Sequence, residues 1–195
     1  MATGAVTSKP SRDWDEADIR SLISDGVPES VNLDYKESAA LGKTDGRKKE
    51  ISKDVSAFAN AAGGTIVYGV RENGQIPTEI DGGVDVADIS KEWLENVINS
   101  TIQPRIDGTH INQIALSARP ERVLYVVEIP QTMAGGPHQA SDHRCYKRYN
   151  FQSAPMEDYE VRDVMRRSIG PDLYCGVQVT DANTLEGWVA IWPFI

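Results

Sequence analysis

Residues 29–36, ESVNLDYK, place Glu29, Asp34 and Lys36 within one short segment, and Glu72 follows the apolar run TIVYGV. Carboxylates gathered at one point repel one another and are tolerated when a divalent cation neutralises them. Oxygen ligands of this kind suit Mg2+ or Mn2+. Such an ion can activate water and stabilise the charge that builds up during phosphodiester cleavage. Lys36 shares the strand parity of Asp34, so it is placed either to pair with that acid or to meet a scissile phosphate. The same residues also read as scattered surface acids in an acidic protein, and spacing does not choose between the two.

Glu29 has the parity of Val31 and Leu33, opposite to Asp34. Five extended residues span about 16 Å. Glu29 therefore joins Asp34 only if the chain turns at Pro28–Ser30 or a bulge intervenes.

The 195-residue chain carries 29 acidic and 20 basic residues, a net charge of −9. Diffuse attraction to a phosphate backbone is not expected from the whole molecule, so nucleic-acid binding requires a local basic patch. Two stretches qualify: GRKKEISK, with Arg47, Lys48, Lys49 and Lys53, and HRCYKRY, with His143, Arg144, Lys147 and Arg148. Tyr146 and Tyr149 are placed there to stack on an exposed base. Each stretch also reads as a solvated helix face or sheet edge.

The apolar fraction of 40% and charged fraction of 25% are those of a soluble globular protein. No apolar run reaches the roughly 18 residues of a membrane span, and the N-terminus lacks a secretory signal. Cys145 and Cys175 match no metal spacing or disulfide framework. A cytoplasmic location with reduced thiols is expected.

The elements that must position these groups follow from periodicity. Residues 1–11 are small, polar and expected to be disordered. A short helix follows, capped by Asp13, with Trp14, Ile19, Leu22 and Ile23 as its stripe and Gly26 as its stop. RKKEISKDVSAFANAAGG reads as the strongest helix, with Ile51, Val55, Phe58, Ala59 and Ala62 on one stripe and Gly63-Gly64 as a left-handed cap. TIVYGV is a central strand, and RENGQIP a loop that holds Glu72 at the strand's mouth. DVADISKEWLENVINSTI is a second helix, closed by Pro104. INQIALSA and RVLYVVEIP form a hairpin turning at RPE, a Gly-rich loop follows, then the strand HRCYKRY and a helix opened by SAPMED. The expected fold class is α+β, with a mixed β-sheet flanked by helices. Residues 1–26 form an N-terminal extension, 27–168 the domain, and 169–195 a β segment whose apolar end reads as the start of a further region.

Three stretches resemble one known family: ESVNLDYK, ISKDVSAFANAAGGTIVYGVRENG, and PHQASDHRCYKRYNFQSAPMEDYEVRDVMRR. Together they are similar to the Schlafen-type AlbA-like domain over about residues 27–168. ESVNLDYK follows the family's ESxxxEFK, with Asp34 in place of glutamate and Tyr35 in place of phenylalanine. Arg71 stands where the family often has the first acid of a later pair. The resemblance implies a divalent-metal-dependent endoribonuclease acting on transfer RNA or other structured RNA, with a role in antiviral defence or stress. It assigns Glu29, Asp34 and Glu72 to the metal, and in that reading Lys36 touches the phosphate. Bacterial members are also DNA-binding, regulatory or nucleotide-binding modules, so the resemblance keeps two alternatives open: a non-catalytic DNA- or RNA-binding module, and a nucleotide-binding domain. A single lobe implies that a homodimer completes the basic valley that two lobes form elsewhere in the family. The Gly-rich NAAGGTIVYGV and MAGGPHQ lack the GK[ST] of a P-loop. Of the histidines His110, His138 and His143, only the last two are placed to meet.

Overall fold

The computed structural model describes residues 9–167. The expectations for residues 1–8 and for the segment from 168 onward, Cys175 included, lie outside the described residues.

Two helix-flanked layers follow from alternation along one strand. β2 (Gly64–Tyr68) lies between β1 (Leu33–Lys36) and β7 (Arg119–Ile129), so it is buried on both faces and reads as a continuous apolar run. Ile66 and Tyr68 face α2 (Asp45–Asn60), where they meet Ile51, Val55 and Phe58. Val67 faces the other way, with Leu33 and Tyr35, toward Trp14, Ile19 and Leu22 of the N-terminal segment. β1 and β2 are parallel and joined through α2, whereas β7 runs antiparallel to β2, β5 (Val84–Asp85) and β6 (His110–Leu116). The sheet is mixed, as the α+β reading requires.

α1 (Glu16–Ser24) is capped by Asp15, not by Asp13. The Asp15 carboxylate accepts from the Ala17 and Asp18 amides, and Asp18 answers to the Asp15 amide, a reciprocal box. Asp13 instead ends a 3₁₀ turn over Ser11–Asp13. α2 is capped by Thr44 and ends at Asn60, two residues before Ala62. α3 (Lys91–Thr101) starts on Ser90 and buries Leu94, Val97 and Ile98 as its spacing predicts.

The β6–β7 hairpin turns at Ser117-Ala118 and not at RPE, which lies inside β7, and two further segments differ from expectation. The run TIVYGV breaks at Gly69, whose φ of 102° belongs to glycine; a Cβ there would lie 2.5 Å from Leu124 Cδ2. The chain leaves the main sheet at that point and forms a separate ribbon of β3 (Val70–Asn73) and β4 (Ile76–Ile80). Its turn at Gly74-Gln75 has positive φ at both residues, as a two-residue hairpin favours. RENGQIP is therefore a hairpin and not a loop. The second difference is β9 (Gln152–Pro155), which pairs with β8 (Tyr146–Tyr149) where a helix start was expected; α4 (Asp158–Arg166) begins later, on a capping box at Glu157. Among the described residues no helix is long and apolar enough to cross a membrane.

Candidate functional site

The turn that Glu29 requires is present. The Ser30 amide donates to the Leu33 carbonyl at 2.9 Å, so the extended strand begins only at Leu33. Folded back in this way, Glu29 Oε1 accepts from the Tyr35 amide at 3.1 Å, on the open edge of β1. A side chain thus satisfies an edge donor that would otherwise face another chain.

Asp34 and Lys36 project to the α2 side of the sheet, and the polar face of β1 is enclosed there. Asp34 is 1% exposed; its Oδ2 lies 3.0 Å from Lys36 Nζ and 3.4 Å from Arg148 Nη1. Arg148 reaches it from β8, lying 4.5 Å from the centre of the Phe58 ring and donating to the Ser30 carbonyl at 3.3 Å. Lys36 is also 3.8 Å from Asp54 of α2, and Asp54 accepts from Ser153 of β9 at 2.8 Å. Asp54 and Ser153 were not singled out in the sequence. The signal for Asp54 is that it stands on the buried stripe, three residues after Ile51 and four before Phe58, where a charged residue needs a partner.

Burial is the largest influence on Asp54 and Glu29. It pushes Asp54 above the ordinary aspartate range against the pull of Lys36. Burial works against the Lys36 ammonium as well, but Asp54 and Asp34 outweigh it and raise its pKa. Glu29 is pushed up to about 7, first by burial and then by the Asp34 carboxyl within hydrogen-bonding reach. Asp34 Oδ1 is buried and has no donor among the described residues.

This arrangement has a pH signature. The folded-state pKa of Glu29 lies above its ordinary 4.5, so the protonated form favours the fold. The contribution is full below about 4.5 and is lost as pH rises through about 7. A fully buried shift of this size corresponds to about 3 kcal/mol; half-buried and partly screened, Glu29 contributes about 1–2 kcal/mol. In urea unfolding at pH 5 and pH 8, Glu29→Gln is expected to remove that part of the pH dependence while preserving acceptance from Tyr35. An unchanged difference between the two pH values would contradict it.

Glu72 is not brought to this cluster. It sits on the exposed β3–β4 ribbon, and its carboxylate accepts from the Gln75 amide at 2.7 Å. Only the ribbon's backbone meets the site, where the Glu29 amide donates to the Gln75 carbonyl at 2.8 Å. Among the described residues no three of His, Cys, Asp or Glu are grouped to hold a metal ion. The set Glu29, Asp34 and Glu72 therefore does not fit Mg2+ or Mn2+ in this arrangement: two acids meet, the third is turned away at Gly69, and Asp34 Oδ2 is claimed by two cations.

The basic residues divide along β8. Arg148 is turned inward and holds Asp34, so it is a buried counter-charge and not an open grip for phosphate. Tyr146 is buried too, with its hydroxyl donating to Asp142 at 2.7 Å, which removes it as a stacking surface. Lys147 points outward, paired with Glu160 and 5.7 Å from the Tyr149 ring, while His143 and Arg144 are exposed in the preceding turn. Tyr149 is 64% exposed, and Phe151, in the hairpin turn, 39%.

The two basic stretches become neighbours. The β8–β9 hairpin and the turn before it lie along α2: Ser141 N donates to Ser52 Oγ at 3.1 Å, Lys49 pairs with Asp142 at 3.3 Å, and Ser153 bonds Asp54. Lys49, Lys53, Arg144 and Lys147 thus come from segments nearly a hundred residues apart to one side of the molecule. A cavity of about 290 Å³ opens beside Lys53, lined by Lys36, Glu50, Lys53, Asp54, Arg148 and Phe151 among others.

His138 stands apart from this face. Its ring is held between the Pro104 carbonyl and Thr132 Oγ1, both at 2.6 Å, and its amide donates to Asn60. The bond to Asn60 anchors the Gly-rich loop to α2, and His138 and His143 form no metal group among the described residues.

A family model described as Schlafen, AlbA_2 matches residues 29–157. The chain belongs to this Schlafen AlbA_2 family. Every element of the cluster and of the basic side lies inside the matched region. No curated protein matches the chain. Among solved structures, the DIP2311 protein from Corynebacterium diphtheriae is similar, with a TM-score of 0.53 at 15% identity over 84% of this chain. The chain spans about a third of that protein, 34% of its length, and at this identity the likeness shows the fold. A Schlafen AlbA_2 domain is a nucleic-acid-related domain, which directs attention to the side where the basic stretches meet.

Proposed function

We propose that this Schlafen AlbA_2 domain is a nucleic-acid-binding module whose contact surface is the side formed by α2 and the β8–β9 hairpin. One observation carries the reading: the fold joins the basic stretches around residues 47–53 and 143–148 into one surface, beside the exposed Tyr149 and Phe151. Most of the lysines there are paired: Lys48 with Asp45, Lys49 with Asp142, Lys53 with Glu50, and Lys147 with Glu160. Surface pairs contribute at most about 1 kcal/mol, so phosphate oxygens can take those ammonium groups over, while the Lys147–Glu160 pair is partly buried. Arg47 and Arg144 have no acidic partner among the described residues and are open to phosphate directly.

With a net charge of −9 the molecule as a whole repels a polyanion. Binding is therefore local and steeply salt-dependent. Fluorescence anisotropy with labelled oligonucleotides at rising salt tests this directly. The expected result is an affinity that falls linearly with salt on logarithmic axes, by about one order per order of salt for each phosphate contact. No binding at any salt would overturn it.

Cleavage is the second reading, and one observation favours it: the Glu29 carboxyl, held at about 7, lies beside Asp34 and Lys36. A group with that pKa can take up or give a proton near neutral pH. Incubating RNA with the protein, with and without Mg2+ or Mn2+, decides between the readings. Products that disappear in Glu29→Gln and Asp34→Asn establish cleavage; intact RNA in every arm leaves the binding module.

A further inference from the structure

We infer that the cavity between α2 and the β8–β9 hairpin is a binding site for one unpaired nucleotide, which makes single-stranded nucleic acid the ligand class. The inference rests on the binding-module reading and deepens it. Three observations carry it.

The first is shape. The cavity of about 290 Å³ is an open cleft, just below the size of pockets that enclose a small ligand, and Lys53 of the first basic stretch borders it. The second is the pair of exposed aromatic rings. Tyr149 and Phe151 flank Asn150, whose φ of 54° makes the tight hairpin turn, and Phe151 is itself part of the cavity wall. An exposed aromatic face stacks on any base whose own faces are free, and in a duplex those faces are already covered.

The third is unspent polar capacity. The Gln152 carboxamide, in the cavity lining, makes no hydrogen bond among the described residues, and it can both donate to and accept from a base edge. Lys53 is in the lining together with its partner Glu50, and an attached phosphate takes the ammonium over from that pair. A stacking ring, a free amide and a cation around one small cavity match a nucleotide's base face, base edge and phosphate.

The test uses single-stranded DNA, single-stranded RNA and a duplex of the same sequence, each carrying a fluorescent adenine analogue whose emission falls on stacking. Wild-type protein is expected to bind a single strand about tenfold more tightly than the duplex and to quench the analogue, on DNA, RNA or both. Phe151→Ala, at an exposed position, should abolish the quenching and lower single-strand affinity about tenfold, as the loss of one base–aromatic stack does. Duplex affinity should stay unchanged. Gln152→Ala should retain the quenching and alter the preference among bases. Salt-dependent binding that makes no distinction between single strand and duplex, and that Phe151→Ala leaves unaltered, overturns the nucleotide site and leaves the binding-module reading intact. Absence of binding to any of the three probes removes both.

Discussion

Arg148→Met is expected to destabilise the domain by about 3–5 kcal/mol, the usual cost of removing one partner from a buried ion pair. Arg148 is 6% exposed and connects three elements: Asp34 of β1, the Ser30 carbonyl in the preceding turn, and the Phe58 ring of α2. Without the guanidinium, Asp34 retains only Lys36, which Asp54 also claims. Asp34→Leu should cost a similar amount, because it leaves the Arg148 charge buried and uncompensated. The double variant Asp34→Leu/Arg148→Met should recover most of the loss, since apolar residues of similar volume replace buried pairs at little net cost. Urea unfolding of the four proteins measures this as a double-mutant cycle. Single-variant losses below about 1 kcal/mol would show that water reaches the pair.

A second large effect is expected on binding. Replacing Lys49, Lys53, Arg144 and Lys147 together with alanine should weaken oligonucleotide affinity by about 100-fold at physiological salt. The logarithmic salt slope should become shallower by about three to four. Folding stability should change little, because the ion pairs of Lys49 and Lys53 are at the surface and that of Lys147 is only partly buried. The same four substitutions distinguish a binding surface from a fold-stabilising one, since a structural role would lower stability together with affinity. Replacing Arg12, Arg20 and Arg119, none of which belongs to α2 or the β8–β9 hairpin, should leave the affinity unchanged.

The parts of the fold that could be read from the sequence are those where one periodicity governs a whole element. The stripe of α2 and the apolar run of β2 are of this kind, because each is buried along its length by the same neighbours. Strand parity also puts Asp34 and Lys36 on one face, while their pairing is seen only in the fold. The remaining features were set by single backbone events. A hydrogen bond from Ser30 to Leu33 converts an apparent strand into a turn and delivers Glu29 to Tyr35. Gly69 ends β2 and carries Glu72 onto another ribbon, although the residues on both sides favour a continuous strand.

The function of Arg148 was hidden for a related reason. In HRCYKRY every second residue of β8 turns inward, and which parity does so depends on the packing of the hairpin against α2. The basic stretch therefore reads as uniform in sequence and is split in the fold, with Lys147 outside and Arg148 inside. β9 was concealed by polar residues that also suit a helix start. Asp54 was concealed because a lone acid on a helix declares itself only when its neighbours on the stripe are known to be buried.

The central claim is that nucleic acid meets this domain on the side shared by α2 and the β8–β9 hairpin. Hydrogen–deuterium exchange with and without a saturating oligonucleotide maps that contact most directly. Slowed exchange confined to residues 45–54 and 141–155 is the predicted footprint. A footprint on α1, β6 and the β3–β4 ribbon instead, with residues 45–54 and 141–155 unchanged, would contradict the account.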